Sequence, residues 1–375
     1  MNLRKLSLSA ALYAAFLPLA SAAESDFLQC ASRPNDSERL KCYDDLASAR
    51  LAANAPTKAE VIKAEVIKAE VIKAEAAPAS PAPAIAVQPA EQEHARKERS
   101  YLTRAWNLDG RGRESSTQLT PLRPYRTSYL IARTSSRMSR QPASPAPGHV
   151  TATPLDLDSL EAKFQFSFKA EIMNYRHINL LGFDDFRLWG AYTQQSNWQA
   201  FNARNSSPFR ETNYEPELIA TFGTGNSSAG LKMVNLGLVH QSNGKGATDS
   251  RSWNRAYVQG GWEWDNNISM LARGWWRIPE SAANDDNPDI EDFVGRADAV
   301  IRWDPDRTQS LTLLLRNNLY LGHNRSFMQL DWTMPVFVGK SAKLHAQMTS
   351  GYGESLIDYN HRQTTFGLGV SFREW

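Results

Sequence analysis

Leu236-Gly237-Leu238-Val239-His240-Gln241-Ser242-Asn243-Gly244 reads as the end of a β-strand with one greasy face. In an extended chain, residues i, i+2 and i+4 share a side. Val234, Leu236 and Leu238 therefore lie with His240 and Ser242, while Asn235, Gly237 and Gln241 point the other way. The next run, Ser252 to Trp264, carries Asn254 in step with Ala256, Val258, Trp262 and Trp264. Polar side chains on an apolar outer surface cost free energy. Such a face is a poor place for structural polar residues.

The same alternation fills the chain from about residue 160 onward. Phe164, Phe166, Phe168, Ala170 and Ile172 alternate with Lys163, Gln165, Ser167 and Lys169. Phe186, Leu188, Gly190 and Tyr192 follow, then Leu218, Ala220 and Phe222, then Leu344, Ala346 and Met348, and last Phe366, Leu368, Val370 and Phe372. Each run approaches the ~10 residues that a tilted strand needs to cross a hydrocarbon core. A soluble β-sandwich gives similar alternation. Two features favour a barrel. Trp253, Tyr257, Trp262, Trp264, Trp275 and Trp276 cluster near strand ends, as an interfacial girdle requires. The last residue, Trp375, is also aromatic, although out of phase with Phe366 to Phe372.

The beginning of the chain points to export. Arg4 and Lys5 precede the apolar run Leu6 to Leu19, and Ala20-Ser21-Ala22 supplies a small-residue cleavage site, so 1–22 is expected to be a signal peptide. No later stretch is apolar enough for a spanning helix, which leaves a β-barrel as the membrane fold that satisfies its own backbone. Cys30 and Cys42 in 23–50 are expected to pair as a disulfide across a small helical hairpin, the default in an exported protein. Lys-Ala-Glu-Val-Ile repeats and a Pro-Ala run mark 51–98 as a disordered periplasmic linker. The barrel is expected over 99–375. With 42 basic and 40 acidic residues there is no basic stripe, and nucleic acid is not expected as a partner. The fold class is thus all-β, an antiparallel transmembrane barrel in an outer membrane. The low mean hydropathy fits a polar lumen.

A serine hydroxyl is a weak nucleophile until a base takes its proton, and the base works best when a third group fixes its tautomer. Ser242, His240 and Asn254 are candidates for nucleophile, base and orienting group, provided that the two strands pair across Asn243 to Arg251. A neutral asparagine stabilises an imidazolium less than an aspartate, yet beside lipid an unpaired carboxylate is costly to bury. The placement suits a hydrolase acting on a lipid. A porin or structural barrel explains the alternation equally well, but not three polar residues on the apolar face. An outer-membrane protease needs a carboxylate and histidine cluster, and none is legible.

The stretch His240-Gln-Ser-Asn-Gly-Lys-Gly-Ala-Thr-Asp-Ser-Arg-Ser-Trp-Asn254-Arg255 resembles the active-site segment of the outer-membrane phospholipase A family. Arg123-Pro-Tyr-Arg-Thr-Ser-Tyr-Leu-Ile131, Ser206-Ser-Pro-Phe-Arg-Glu-Thr-Asn-Tyr-Glu-Pro216, Asp285-Asp-Asn-Pro-Asp-Ile290 and Ser350-Gly-Tyr-Gly-Glu-Ser-Leu-Ile-Asp-Tyr-Asn360 carry the resemblance further, in order, from about residue 120 onward. The resemblance implies a barrel of about 12 strands that hydrolyses phospholipid acyl esters, needs calcium (one per active site), and works as a homodimer that is quiescent as a monomer. It implies that His240, Ser242 and Asn254 form the triad and that the Gly244 N–H serves the oxyanion. It gives calcium the Ser250 hydroxyl, the Lys245 carbonyl and, from the partner subunit, the Ser206 carbonyl.

There are departures from that pattern. Ala247 stands where the family often has an aspartate, with Asp249 two residues on as a further metal candidate, and Lys245 replaces an arginine. Gln194 shares the phase of Tyr192 and matches a glutamine used across the dimer interface. The acidic loop Asn284 to Asp292 lacks the glycine and terminal glutamate of a calcium-binding hand and reads as a solvated turn. His177, His323 and His345 have no partner legible in the sequence, and His94, His149 and His361 read as loop or linker residues.

Overall fold

The computed structural model describes Cys30, Arg33 and residues 35–53, 100–109, 122–224, 230–306, 308–336 and 342–372. The expected signal peptide, nearly all of the repeat-bearing linker and Trp375 lie outside the described residues. The chain divides into two units, Met1–Ala86 and Val87–Trp375. In the first, Cys30 and Cys42 are joined by the expected disulfide. Helix α1 runs over Asp36–Ala53, and the rest of the expected hairpin lies largely outside the described residues. Asn35 caps it, its side-chain oxygen accepting the Glu38 N–H at 3.0 Å.

The first described element of the second unit is the short helix α2 (Tyr101–Ala105), and strands follow. These are β1 (Arg123–Pro124), β2 (Tyr129–Ser135), β3 (Leu160–Leu180), β4 (Phe183–Trp198), β5 (Phe209–Gly223), β6 (Leu231–Ser242), β7 (Ser252–Trp264), β8 (Ile268–Ile278), β9 (Ala297–Trp303), β10 (Ser310–Asn317), β11 (Ser326–Pro335), β12 (Ala342–Gly351) and β13 (Gln363–Phe372). Helix α3 (Ile290–Val294) lies in the β8–β9 loop. Strands β2 to β13 pair antiparallel in sequence order, and β13 closes on β2 from Thr365 opposite Ser135 to Ser371 opposite Tyr129. Among the described residues this makes a closed ring of twelve strands, with no open edge to leave backbone groups unpaired in lipid. The two-residue β1 lies along the same edge of β3 as β2. Between β1 and β2 the ladder is interrupted, and there Tyr125 and Arg126 reach Glu217 and Glu215.

Burial is inside out. Phe166, Leu218, Leu236, Leu238, Val258 and Phe366 are exposed, while Arg133, Glu161, Lys163, Lys169 and His345 are buried. A soluble sandwich would bury the first set and expose the second. The alternation therefore belongs to a transmembrane barrel, with the apolar side chains facing lipid and the polar ones the lumen.

The tryptophan girdle needs correction. Trp264 and Trp276 are exposed, as a girdle requires, but Trp253, Tyr257 and Trp275 are buried. Strand alternation turns these three to the lumen, where they join Val239, Ile290, Val294, Leu356 and Tyr359 in one apolar cluster. A second cluster gathers Leu102 and Trp106 of the α2 segment with Trp189, Ile219 and Met233. The Lys169 ammonium stands 3.1 Å from the Trp106 ring centroid, a cation–π contact. Between the clusters run ion pairs: Arg126 with Glu215 (2.9 Å) and Glu217 (2.8 Å), and Arg273 with Asp298 (2.6 Å). The interior retains a cavity of about 250 Å³. A lumen packed this way is not the open channel of a porin.

Candidate active site

Strands β6 and β7 pair so that His240 stands directly opposite Asn254. Their preceding chain neighbours, Val239 and Trp253, have the opposite parity and are buried in the lumen cluster. This backing fixes the hairpin from behind, while His240 faces outward beside exposed Leu236 and Leu238. His240 Nδ1 lies 2.8 Å from Asn254 Oδ1. That contact leaves Nε2 for a second partner. Ser242 shares the face two residues on, half-buried, with no hydrogen bond from its hydroxyl to another described residue. Across the other edge of β6, Tyr214 is opposite Ser242.

The β6–β7 loop is held by Asn243, which is buried although its neighbours are not. Its side-chain oxygen accepts the Lys245 N–H (3.3 Å) and the Arg251 N–H (3.0 Å), and its amide donates to the Asp249 carbonyl (2.7 Å). Buried Arg251 adds bonds to the Thr248 and Ser250 carbonyls. Gly244 takes φ +62°, the left-handed region.

The acidic loop is not the solvated turn that its composition suggests. Asn287 is fully buried and accepts the Ser252 N–H at 2.9 Å, which ties the loop to the start of β7. Asp286 is thereby brought to the Ser250 hydroxyl, at 2.6 Å, and His149 Nε2 lies 3.1 Å from the same carboxylate. Asp249 instead faces Thr151 (3.4 Å) and Lys245 Nζ (3.7 Å). Ser206 is exposed in the β4–β5 loop at φ +58°. Gln194 is half-exposed on the outer face and accepts the Tyr192 hydroxyl at 3.0 Å.

Among the described residues no group of three or more His, Cys, Asp or Glu could hold a metal ion. A cation here would draw on hydroxyl, carbonyl, carboxylate and water oxygens, such as the Ser250–Asp286 pair presents. That donor chemistry fits a hard divalent ion such as calcium.

Several residues of the site were not found from sequence. Asp286 reaches Ser250 from a distant loop, and His149 reaches Asp286 from another. Glu280 accepts the Asn254 amide at 2.9 Å, from just beyond β8. His345, without a legible partner in the sequence, pairs with Asp331 at 2.8 Å in the lumen. These partners are set by barrel closure and loop folding, which spacing along the chain does not encode.

A closed barrel with a packed interior and a polar constellation on its lipid face is, by class, an outer-membrane enzyme barrel rather than a pore. The phospholipase A1 family model matches residues 102–372, and the chain belongs to that family. A phospholipase A1 of Salmonella typhimurium is 36% identical over 68% of this chain and 82% of its own length. The structure resembles outer membrane phospholipase A from Escherichia coli with a TM-score of 0.57 and 32% identity, over 70% of this chain and 95% of that one. That enzyme is also solved as an active-site mutant in which an asparagine is replaced by alanine. The Salmonella typhi outer membrane phospholipase, solved as a dimer with bound calcium, matches with a TM-score of 0.59 and 32% identity, over 72% of this chain and 97% of that one. The chain is an outer-membrane β-barrel of this family.

Proposed function

We propose that the protein hydrolyses acyl ester bonds of membrane glycerophospholipids, at either acyl position and in lysophospholipids, at the outward face of β6 and β7. The observation that carries this reading is the 2.8 Å contact of His240 Nδ1 with Asn254 Oδ1 on an exposed apolar face, two residues from Ser242. Asn254 accepts the Nδ1–H and so leaves Nε2 as the basic nitrogen. His240 takes the Ser242 proton as Oγ attacks the ester carbonyl, then returns it to the leaving glycerol oxygen. A water attacks the acyl-enzyme by the same relay and releases the fatty acid. The Gly244 N–H donates to the oxyanion. Because the constellation faces outward, acyl chains stay in the apolar phase during turnover.

Calcium is the cofactor that the oxygen donors support; one ion per site would be held by the Ser250 hydroxyl, the Lys245 carbonyl and the partner subunit's Ser206 carbonyl, with Asp286 rather than Asp249 as the nearby carboxylate. When bound, such an ion supplies electrostatic stabilisation to charge developing on the carbonyl oxygen. Ser206, exposed, and Gln194, half-exposed on the outer face, support completion of the site across a homodimer, with the monomer quiescent. Equal specific activity of enforced monomers and dimers contradicts the dimer reading. The triad is tested by Ser242→Ala: the variant folds and inserts normally and loses about 10³-fold or more of its lipase activity. Full activity in that variant overturns the assignment.

A further inference from the structure

We propose that Glu280 is a fourth member of the constellation, a positioning residue that fixes the Asn254 amide and lends it negative charge. The proposal rests on the reading of Ser242, His240 and Asn254 given above. An asparagine side chain has an acceptor end and a donor end, and only the acceptor end serves a histidine N–H. Nothing in the amide itself selects that orientation. Glu280 does, because an ionised carboxylate only accepts. Its Oε1 lies 2.9 Å from Asn254 Nδ2, while Asn254 Oδ1 lies 2.8 Å from His240 Nδ1. Turning the amide over would set donor against donor at His240 and oxygen against oxygen at Glu280.

The local sequence explains how the carboxylate arrives there. Ile278 is the β8 residue paired with Asn254. Pro279 follows and has no N–H to continue the ladder, so the chain leaves the sheet at that point. Trp276 and Ile278 are both exposed on the outer face, and Glu280 follows two residues on, just past the end of β8. It is half-buried, and no described lysine or arginine pairs with it. Asp285 in the same loop does have a cationic partner, Arg277 at 2.6 Å. Glu280 spends its bond on Asn254 instead.

The consequence is electrostatic as well as geometric. A neutral asparagine stabilises an imidazolium weakly, and a carboxylate one amide away polarises it through a charge-assisted hydrogen bond. The amide stays beside the imidazole, and the full charge is kept a residue further out.

The test measures kcat and KM for phospholipid in mixed micelles, across pH, for refolded Glu280→Gln, Glu280→Ala, Asn254→Ala, the Asn254→Ala/Glu280→Ala pair, and Ser242→Ala as control. Glu280→Ala should lower kcat roughly 10- to 100-fold with KM little changed. Glu280→Gln keeps an acceptor but no charge. It should recover part of kcat and move the acid limb of the profile to lower pH, because the imidazolium is held less firmly. In the Asn254→Ala background, loss of Glu280 should cost nothing further. The proposal is overturned if Glu280→Ala keeps kcat within about twofold of the parent, or if its loss adds in full to that of Asn254→Ala. Glu280→Gln, nearly the same shape, carries the test should the alanine variant fail to fold. An active Ser242→Ala would instead overturn the triad itself, so the two failures are distinct.

Discussion

At Gly244 backbone conformation and chemistry meet in one residue. Its φ of +62° suits glycine, and a Cβ built there would come within 2.7 Å of Tyr214 Cε2. Gly244→Ala must therefore shift the loop or the tyrosine ring, and with it the N–H assigned to the oxyanion. The expected outcome is a fall in kcat of about 10²-fold, with about 1–3 kcal/mol lost from strained backbone. Steady-state kinetics beside a urea unfolding curve separate the two effects. That Ser242, His240 and Asn254 share one outward face was legible in the sequence because strand alternation is strict and all three belong to one hairpin. Asp286, His149 and Glu280 were not, because loops tens of residues away deliver them. The acidic loop was misread for a related reason: composition reports charge, whereas its position depends on buried Asn287 and the Ser252 N–H.

At the scale of elements, the β6–β7 hairpin holds its outward constellation because its inward side is packed. Trp253 is fully buried next to Asn254, and Val239 is buried next to His240. Trp253→Ala opens a cavity behind the site and should cost about 3–5 kcal/mol. Activity should fall with it, although the residue touches no substrate. Trp276→Ala, on the exposed face of β8, should leave the unfolding midpoint nearly unchanged. Denaturant unfolding in detergent compares the two. Alternation also shows why the girdle reading failed for half its members. Trp253 is out of phase with Asn254 and Ala256, and grouping tryptophans by type hid what their parity already encoded.

Over the whole molecule, the fold was legible because twelve strands repeat one rule, and closure follows once lipid forbids a free edge. The packing of the lumen was not legible, since alternation marks lumen-facing residues without pairing them. Arg133, Glu161, Lys163, Arg210, Glu354 and Asp358 form one buried network that holds the β12–β13 loop in the barrel mouth. Burial alone would raise the Glu354 pKa, but Arg133 and Lys163 outweigh it and hold the carboxyl down, from 4.5 to about 2. A carboxyl depressed on folding contributes stability that is present above its unfolded pKa and lost as pH falls. Unfolding should therefore become easier between about pH 4.5 and 2, and Glu354→Gln should flatten that part of the profile. Thermal unfolding in micelles at a series of pH values checks this.

The most direct measurement is fatty-acid release from phospholipid micelles by the refolded barrel, first with calcium and then with excess chelator. Calcium-dependent release is the predicted result. Release that survives chelation would keep Ser242, His240 and Asn254 but contradict the metal at Ser250. No release in either condition, from protein shown to be folded, would contradict the outward-facing hydrolase itself.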